Sequence, residues 1–479
     1  MELSRQINLI ENRYPIRIVQ FGEGNFLRAF VNYAFHRLNK DLGESYGVVV
    51  VQPLKNGMVD MLKKQDGLYT LFLKGISKGQ LIENKMLIDN ITSLVNPYAD
   101  FKEYLDIAKE ELLEYVISNT TEAGIAFDVN DLPTMTPPNS FPGKLTVLLL
   151  ERYKFFNGDP LKGLTIIPCE LINYNADKLK ELVLRYVDLW ELGDEFKDWI
   201  INHNSFHNTL VDRIVPGYPK DNIEEYNQQL FYNDKLLIAA ESFFLWVIQG
   251  DHILKSKLPF NKIDLDVKIV DDIQPYRTRK VRILNGAHTA LVPLSILYGN
   301  TTVRESMVDD FTGNYIKELV FDEIVEASNL DKNELTQFAE DVFDRFKNPF
   351  IEHQLSSIAM NSISKFSVRV LPSLLEYIEK FNRAPKKIVF SFACLIRFYK
   401  GDWNGQKLPV NDAENIILYF KNAWLEESYT KVLIKILANE EFWGQDLNNI
   451  NQLTELVAKA LEMIDNGGVE QAFKNFNNI

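Results

Sequence analysis

The sequence predicts an α/β fold in which an N-terminal domain carries a mostly parallel sheet and a C-terminal domain is mainly α-helical. Three observations lead to this prediction. Short continuous apolar runs alternate with helical patterns in the first half of the chain, as expected of parallel strands that are covered on both faces. A glycine-rich turn follows the first of these runs. After about residue 274 the strand signal fades, and long stretches with helical spacing follow.

Four apolar runs mark the predicted strands of the N-terminal domain. They are residues 16–20, 48–51, 115–118 and 164–168. Each is short and contiguous, which is typical of a buried strand. Helical patterns separate these runs, which favours parallel strands.

The second half of the chain has the spacing of long helices. Apolar side chains recur at helical intervals in four stretches, residues 281–298, 314–328, 333–346 and 453–464. We therefore expect a domain boundary near residues 272–276. This boundary divides the chain into domains of residues 1–274 and 275–479.

Composition and charge limit the function classes. The chain has 479 residues, 46% of them hydrophobic, so two or three domains with large cores are expected rather than a disordered protein. Sixty-six acidic residues against 52 basic ones give a net charge of −14, which argues against a nucleic acid or an anionic membrane as the main partner. A small anionic molecule needs only a local basic pocket and is compatible with this charge.

The two cysteines and the apolar stretches indicate the compartment. Cys169 and Cys394 cannot form a disulfide framework, and a reducing compartment fits them best. The first residues lack the basic and then apolar layout of a secretory signal. The longest uncharged stretch, residues 283–303, contains Pro293 and Gly299 among other breakers and polar groups, so we interpret it as a core segment rather than a membrane span. We expect a cytoplasmic protein.

The glycine turn, Gly22-Glu23-Gly24, lies directly after the first strand and before a helical pattern. In a dinucleotide site the first glycine makes the tight turn, the second lets the pyrophosphate approach, and the helix N-terminus supplies free N–H groups. Leu27 stands where a third glycine would be, so a plain strand–helix turn is the alternative. The position on the first strand of an alternating pattern favours a cofactor. The candidate cofactor-binding residues here are Val19, Gln20, Phe21, Gly22, Glu23, Gly24, Asn25 and Phe26.

The end of the second strand bears on the choice of cofactor. In a dinucleotide site this position usually carries an acid that binds the ribose 2′-hydroxyl. Here the strand ends in Gln52 and Pro53, and Lys55 follows shortly after. Gln52 can still hydrogen-bond a ribose hydroxyl, but the missing carboxylate removes the main repulsion against a 2′-phosphate. This loop leaves NAD and NADP as alternatives.

Three polar side chains share one predicted helix face at the start of the C-terminal domain. At about 100° per residue, Lys280, Asn285 and His288 fall within roughly 140° of one face. A lysine buried among apolar neighbours can donate a proton near neutral pH, an asparagine amide can donate to an oxygen that gains negative charge, and a neutral histidine can orient a substrate hydroxyl. The alternative is a helix with a snorkelling lysine, a capping asparagine and a core histidine. The long, mainly apolar stretch that follows weighs against this alternative.

Four segments resemble the mannitol dehydrogenase family of polyol-specific long-chain dehydrogenases. They are residues 20–30 (QFGEGNFLRAF), 118–125 (SNTTEAGI), 168–172 (PCELI) and 284–293 (LNGAHTALVP). The segments follow the family's order and span nearly the whole chain. The resemblance implies a Rossmann-like dinucleotide-binding domain in residues 1–274 and a helical substrate-binding and catalytic domain in residues 275–479.

The resemblance also implies metal-independent hydride transfer between a nicotinamide cofactor, NAD, and the ketone of a ketose acid. Lys280 would match the family's catalytic lysine, Asn285 its oxyanion-binding asparagine and His288 its substrate-orienting histidine. The second segment adds Thr121 and Glu122 to the cofactor-binding candidates. The expected reaction interconverts D-tagaturonate and D-altronate. The alternatives are a mannitol- or fructuronate-type enzyme on the same scaffold and a nucleotide-sensing binding protein without chemistry.

Further residues are candidates for substrate binding. A VDRI segment similar to the family's makes Asp212 and the preceding Asn208 candidates. A uronate substrate brings a carboxylate that needs a cation, ideally an arginine. Lys365 and Arg369, four residues apart, are the first choices for that cation, and the basic residues of the segment RFKNP at 345–349 are the alternatives.

Two features limit these expectations. Where mannitol dehydrogenases carry a second oxyanion asparagine, this chain has Leu171, so either Asn285 works alone or a neighbour such as Asn173 or Asn175 substitutes. His203 and His207 have the spacing of a metal-ligand pair, but the sequence places no third ligand and no metal is expected. The expected partner is a small sugar acid, with no nucleic acid and no membrane.

Overall fold

A computed structural model of the protein describes residues 2–6, 8, 10, 13–120 and 123–479. By its internal contacts the chain divides into two compact units. Unit 1 comprises Met1–Lys74 and Ile82–Gln274, and unit 2 comprises Gly75–Leu81 and Pro275–Ile479. The division expected from the sequence differs in one segment, because it assigned residues 75–81 to the N-terminal domain.

Unit 1 contains a six-stranded sheet and two three-stranded sheets. Residues 75–81, which include the ends of two strands of one small sheet, belong to unit 2. The strands are β1 (Ile16–Phe21), β2 (Gly47–Val51), β3 (Tyr69–Ser77), β4 (Gln80–Ile88), β5 (Ile91–Val95), β6 (Tyr115–Ser118), β7 (Thr165–Pro168), β8 (Ser205–Phe206), β9 (Thr209–Asp212), β10 (Ile238–Glu241), β11 (Leu245–Gln249) and β12 (Val267–Val270). The large sheet has the order β5-β2-β1-β6-β7-β8, and its neighbouring strands are parallel. The small sheets have the orders β10-β3-β4 and β12-β11-β9.

The four predicted strands are confirmed as β1, β2, β6 and β7, which lie side by side in the large sheet. Successive residues of these strands enter two different apolar clusters. Ile18 and Val48 belong to one cluster, whereas Val19 and Val49 belong to the other. Both faces of the sheet are therefore covered, which explains why the strands are continuous apolar runs without alternation. The expected α/β class is confirmed.

The helices of unit 1 lie mostly between successive strands. They are α1 (Asn25–Leu27), α2 (Tyr33–Leu42), α3 (Val59–Lys64), α4 (Phe101–Asp106), α5 (Phe141–Phe155), α6 (Asn175–Leu189), α7 (Asp194–His203), α8 (Ile223–Asn227) and α9 (His252–Lys257). A π-helical segment, Arg28–Asn32, joins α1 and α2 into one continuous helix after β1. Single 3₁₀ turns occur at Ile107–Lys109, Pro160–Lys162, Lys220–Asn222 and Phe260–Lys262.

Unit 2 is mainly helical, as predicted. Its helices are α10 (Gln274–Arg279), α11 (Gly286–Tyr298), α12 (Val303–Val308), α13 (Asp310–Leu319), α14 (Lys332–Phe346), α15 (Leu355–Ile358), α16 (Ser362–Arg369), α17 (Leu371–Phe381), α18 (Lys386–Phe398), α19 (Glu414–Ala423), α20 (Tyr429–Leu437), α21 (Glu440–Trp443), α22 (Leu453–Gly467) and α23 (Val469–Asn477). The π segments Lys280–Asn285 and Val320–Val325 continue α10 and α13, and Leu447–Asn449 is a 3₁₀ turn. The two short strands β13 (Asp402–Trp403) and β14 (Gln406–Lys407) pair antiparallel.

Helix α11 is the central element of unit 2. It packs against α13, α15, α16 and α18, and most of its residues are buried. This burial explains why residues 283–303 carry no charge, and no helix within the described ranges is long and apolar enough to cross a membrane. The stretch is therefore a core helix, as the sequence indicated.

Candidate active site

The glycine turn connects β1 to the helix that begins at Asn25. Gly22 has φ +122°, which side chains rarely adopt, and a Cβ on it would lie 2.9 Å from the Asn119 carbonyl oxygen and 3.0 Å from Leu27 Cδ1. Gly24 is exposed, and a Cβ there would meet nothing within 4 Å. Gly22 thus makes the turn, while Gly24 leaves open space over the helix N-terminus. This arrangement fits the phosphates of a dinucleotide.

The other candidates on this turn differ in exposure. The side chains of Val19 and Phe21, both in β1, are buried in one of the two apolar clusters that cover the large sheet. Gln20 is also buried; its Nε2 donates to the Gly22 carbonyl oxygen (2.8 Å), and its Oε1 has no hydrogen-bond partner among the described atoms. Phe26 is half-buried and stacks on the ring of Phe30.

The loop after β2 places Gln52 differently from the expectation. Gln52 is buried, and its Nε2 donates to the carbonyl oxygens of Leu54 (2.9 Å) and Lys55 (3.1 Å). Its Oε1 accepts from the Val59 N–H at 3.4 Å. Gln52 therefore organises its own loop, and its predicted contact with a ribose would require these hydrogen bonds to open.

The loop after β6 contains two predicted residues, Thr121 and Glu122, that lie outside the described residues. The residues before them are held by Glu170, which is not among the predicted site residues. The Glu170 carboxylate accepts from the Thr120 N–H (2.9 Å), the Thr120 hydroxyl (3.0 Å) and the Ser118 hydroxyl (3.1 Å). Burial raises the pKa of Glu170. The available signal in the sequence is an acid two residues after the end of a buried strand.

A π-helical segment carries the proposed proton donor and oxyanion ligand. Lys280 and Asn285 are its first and last residues, and His288 follows in α11. A π turn joins residues i and i+5, so Lys280 and Asn285 lie about one turn apart on the same face. His288 is three residues further on, again about one turn. The π segment brings the three side chains closer to one line than a regular α-helix would. Lys280 is half-buried, less buried than expected.

His288 has aromatic neighbours that sequence reasoning missed. Its ring stacks on Phe346, with centroids 3.9 Å apart and planes at 19°, and meets His353 edge-on at 5.3 Å. His288 Nε2 is buried and has no hydrogen-bond partner among the described atoms. Burial, and then nearby positive charge, holds the pKa of His288 well below its ordinary value. The neutral ring has a nitrogen available for a hydroxyl group. The rarity of histidine, with six in the chain, was the only signal for His353.

Three basic side chains supply positive charge near His288. They are Arg345, Lys365 and Arg369. Arg369 Nη1 donates to the hydroxyl of Thr289 at 3.4 Å, directly beside His288, and Lys365 Nζ donates to the Ile358 carbonyl oxygen at 2.8 Å. Burial lowers the pKa of both Lys365 and Arg369. Partly desolvated cations grouped in this way can bind a carboxylate strongly.

The Asn208 side chain lies in unit 1 and caps helix α6. Its Oδ1 accepts from the N–H groups of Ala176 (2.9 Å) and Asp177 (3.2 Å), and its Nδ2 donates to the Asp177 carboxylate (2.9 Å) and to Gln249 Oε1 (3.1 Å). These contacts occupy both ends of the amide, so a contact with substrate would require some of them to break. Asp212 is buried at the end of β9.

The segment after β7 contains Asn173 and Asn175, the predicted substitutes for the asparagine that is missing at Leu171. Asn175 is fully buried, and its Nδ2 donates to the carbonyl oxygens of Pro168 and Glu170 and to the Thr209 hydroxyl. For Asn175 to substitute for the second oxyanion asparagine, these hydrogen bonds would have to break. Asn173 and Leu171 are both exposed.

The histidine pair with metal-ligand spacing does not form a ligand set in the part of the chain that the structure describes. His203 is exposed at the end of α7, and the Nδ1 of His207 hydrogen-bonds the Gln249 carbonyl oxygen at 2.8 Å. Among the described residues no group of three or more histidine, cysteine or acidic side chains could hold a metal ion.

Comparison with family models gives two matches that together span most of the chain. The model of the mannitol dehydrogenase Rossmann domain matches residues 16–262, and the model of the mannitol dehydrogenase C-terminal domain matches residues 272–465. The two matches meet close to the division between unit 1 and unit 2.

Curated relatives match over nearly their full length. Altronate oxidoreductase of Bacillus subtilis is 44% identical over 97% of this chain and 96% of the relative. Altronate oxidoreductase of Phocaeicola vulgatus is 45% identical over 96% of each. The altronate oxidoreductase of Pectobacterium atrosepticum is 42% identical over 99% of this chain and 100% of the relative.

Solved structures share the fold at low sequence identity. A substrate-free D-sorbitol dehydrogenase has a TM-score of 0.81 at 20% identity and covers 99% of this chain and 100% of its own. Mannitol 2-dehydrogenase of Pseudomonas fluorescens, in a ternary complex with NAD and D-mannitol, has a TM-score of 0.68 at 22% identity and covers 100% of each chain.

Proposed function

The chain belongs to the mannitol dehydrogenase family, and from this premise we propose that it is an NAD(H)-dependent oxidoreductase that interconverts D-tagaturonate and D-altronate. Relatives named altronate oxidoreductase, 42–45% identical over nearly full length, support the substrate. The structural observation that carries the chemistry is the common helix face of Lys280, Asn285 and His288.

The cofactor is assigned to the glycine turn of unit 1. Gly24 leaves the space that a pyrophosphate needs, and the helix N-terminus beside it has no side-chain cap. NADH, when bound, supplies the hydride that reduces the ketone carbon. Thr121 and Glu122 stay cofactor-binding predictions from the family resemblance.

Proton transfer is the task of the helix face in unit 2. When the ketone is reduced, its oxygen gains negative charge and takes up one proton. The ammonium group of Lys280 gives that proton, and Asn285 donates a hydrogen bond to the same oxygen but has no proton to release. In the oxidation of altronate, neutral Lys280 accepts the hydroxyl proton. His288, held neutral by its surroundings, orients a neighbouring hydroxyl.

The carboxylate of the sugar acid is assigned to the basic side chains near His288. Arg369, which contacts Thr289, and Lys365 are the proposed ligands, and Arg345 adds positive charge. Such a group favours an acid over a neutral ketose. Asn208 and Asp212 stay substrate-binding predictions.

The division of labour follows the two units. Residues 1–274 are proposed to bind the dinucleotide, and residues 275–479 to bind the sugar acid and carry out proton transfer. A cytoplasmic location is proposed because the reaction draws on NAD(H) and because both cysteines are free and buried.

The test is an NADH-oxidation assay with tagaturonate, fructuronate and fructose under the same conditions. We expect tagaturonate to have the highest kcat/KM and fructose, which lacks a carboxylate, the lowest. Lys280→Ala, purified in the same way, serves as the control for contaminating reductases. A higher kcat/KM with fructuronate or fructose would replace the proposed substrate, and no turnover of any of the three would favour a nucleotide-sensing protein.

A further inference from the structure

The glycine turn and the loop after β2 form one structural unit. β1 and β2 are adjacent parallel strands, with Phe21 in register with Val51, and the Gly22 N–H donates to the Val51 carbonyl oxygen at 3.1 Å. The residues that follow both strands therefore lie at the same edge of the sheet. In a dinucleotide site, this edge holds the adenosine ribose.

The acid usually found at the end of β2 is missing in this chain. The residue in its place, Gln52, already makes hydrogen bonds within its own loop. Gln52 directs both ends of its amide to the backbone of residues 54–59. The residue in the usual position is thus neutral and engaged in organising its own loop. If the site distinguishes a ribose hydroxyl from a phosphate, another group has to do so.

A carboxylate from the glycine turn reaches this loop. Glu23 Oε1 accepts from the Met58 N–H at 3.1 Å. A Cβ on Gly57 would meet both this oxygen and the Gln52 side chain, so the three residues are immediate neighbours. Glu23 is 8% exposed, and burial raises the pKa of its carboxyl group, while Arg28 and the Met58 N–H favour the ionised form.

We propose that Glu23 performs the role of the missing acid: its carboxylate faces the adenosine-ribose 2′ position and sets the preference for NAD over NADP. This inference rests on the proposed use of a nicotinamide dinucleotide. A ribose hydroxyl can donate a hydrogen bond to the carboxylate, whereas a 2′-phosphate would meet a partly desolvated like charge. The glycine turn then contributes a specificity residue as well as the space for the pyrophosphate.

Two alternative roles for residues of this region lead to different expectations. Lys55 in the loop after β2 is exposed and would attract a 2′-phosphate if it decided specificity. Glu23 could also be a structural residue that only holds Met58 in place. Glu23→Gln distinguishes a charged specificity residue from a structural one, because glutamine keeps an oxygen that accepts from the Met58 N–H but removes the charge.

The experiment measures dissociation constants of NADH and NADPH by fluorescence titration of the full-length protein without sugar acid. We expect the wild type to prefer NADH, and Glu23→Gln to shift the ratio of the two constants toward NADPH by about tenfold or more. Glu23→Asp, which keeps the charge, should retain the preference for NADH. Asp60→Asn is the matched control, because it removes an exposed charge from the adjoining helix α3 and should leave the ratio unchanged.

The outcomes separate this inference from the proposed function. An unchanged ratio in Glu23→Gln, or an equal shift in Asp60→Asn, overturns the role of Glu23. Loss of preference in Glu23→Asp overturns it as well, and that variant keeps the test available if the glutamine variant unfolds. A charge-dependent preference together with no reduction of tagaturonate would support Glu23 while refuting the proposed substrate. Wild type that binds neither cofactor overturns both.

Discussion

Lys280 is the residue on which the proposed chemistry depends most. Removing its ammonium group leaves the developing alkoxide without a proton donor, so Lys280→Ala should lower the turnover of tagaturonate by about 10²–10⁴-fold. NADH binding should change little, because the glycine turn belongs to the other unit. Steady-state rates and NADH titration of the same preparation measure both effects.

Asn285→Ala is the companion variant to Lys280→Ala. It removes one hydrogen-bond donor to the oxyanion and should cost about 10²–10³-fold in turnover. Near-normal turnover in Lys280→Ala would show that the helix face is structural, with a snorkelling lysine and a capping asparagine.

The lowered pKa of His288 leads us to expect that the free energy of unfolding depends on pH. Burial and the nearby charges of His353, Arg345, Lys365 and Arg369 hold its folded-state pKa well below the ordinary 6.5. At pH values between the folded-state pKa and 6.5, the unfolded chain therefore binds more protons than the folded chain. The contribution of neutral His288 to the free energy of unfolding is complete above about pH 6.5 and is lost as the pH falls below it.

The pH dependence is measured by denaturant unfolding at pH 7.5 and 5.5. His288→Asn should lose less stability on acidification than the wild type, because it has no imidazole to protonate. His203→Asn, at an exposed position, is the control and should behave as the wild type does. An equal loss in wild type and His288→Asn would contradict the assignment.

Among the helices, the second π segment of unit 2 has a structural task. Pro385, at the start of α18, offers no side-chain cap, and Glu323 of the segment Val320–Val325 caps this helix instead. Its carboxylate accepts from the N–H groups of Lys387 (2.8 Å) and Ile388 (2.7 Å). The cap joins two helices that are distant in sequence.

Loss of this cap should be costly. Glu323→Ala leaves two N–H groups without their acceptor and should lower the free energy of unfolding by about 2–4 kcal/mol. Asp322→Ala removes an ion pair between an exposed carboxylate and Lys387, which keeps a second acidic neighbour in Glu318, and should cost at most about 1 kcal/mol. Chemical denaturation measures the free energy of unfolding of both variants. Similar decreases in the two would show that the Glu323 cap contributes no more to stability than Asp322 does.

The helices also show where periodicity succeeds and fails. The spacing of apolar residues predicts α14 and α22 because one face of each is buried. Most residues of α11 are buried, which is why the stretch that contains it is uncharged and mainly apolar. A helical wheel drawn at 100° per residue assumes α-helical geometry. It therefore does not show that Lys280–Asn285 is a π segment. The wheel places Lys280, Asn285 and His288 within one broad face and underestimates the alignment of Lys280 with Asn285.

At the scale of the whole molecule, we expect catalysis without a metal ion. Lys280 supplies the proton and Asn285 the hydrogen bond that a metal would otherwise provide at the ketone oxygen. Exhaustive chelation followed by gel filtration should therefore leave turnover of tagaturonate unchanged. Loss of turnover that added zinc restores, but magnesium does not, would contradict this mechanism.

The sequence by itself determined the features that are local or periodic. Strands buried on both faces must be continuous apolar runs, a turn with positive φ requires Gly22, and a buried helix such as α11 requires an uncharged stretch. Only the tertiary structure decided which distant residues meet: Phe346 and His353 at His288, and Glu23 at the loop after β2. Such contacts depend on how the chain packs, because spacing along a sequence specifies a face of an element and not the partner that covers it.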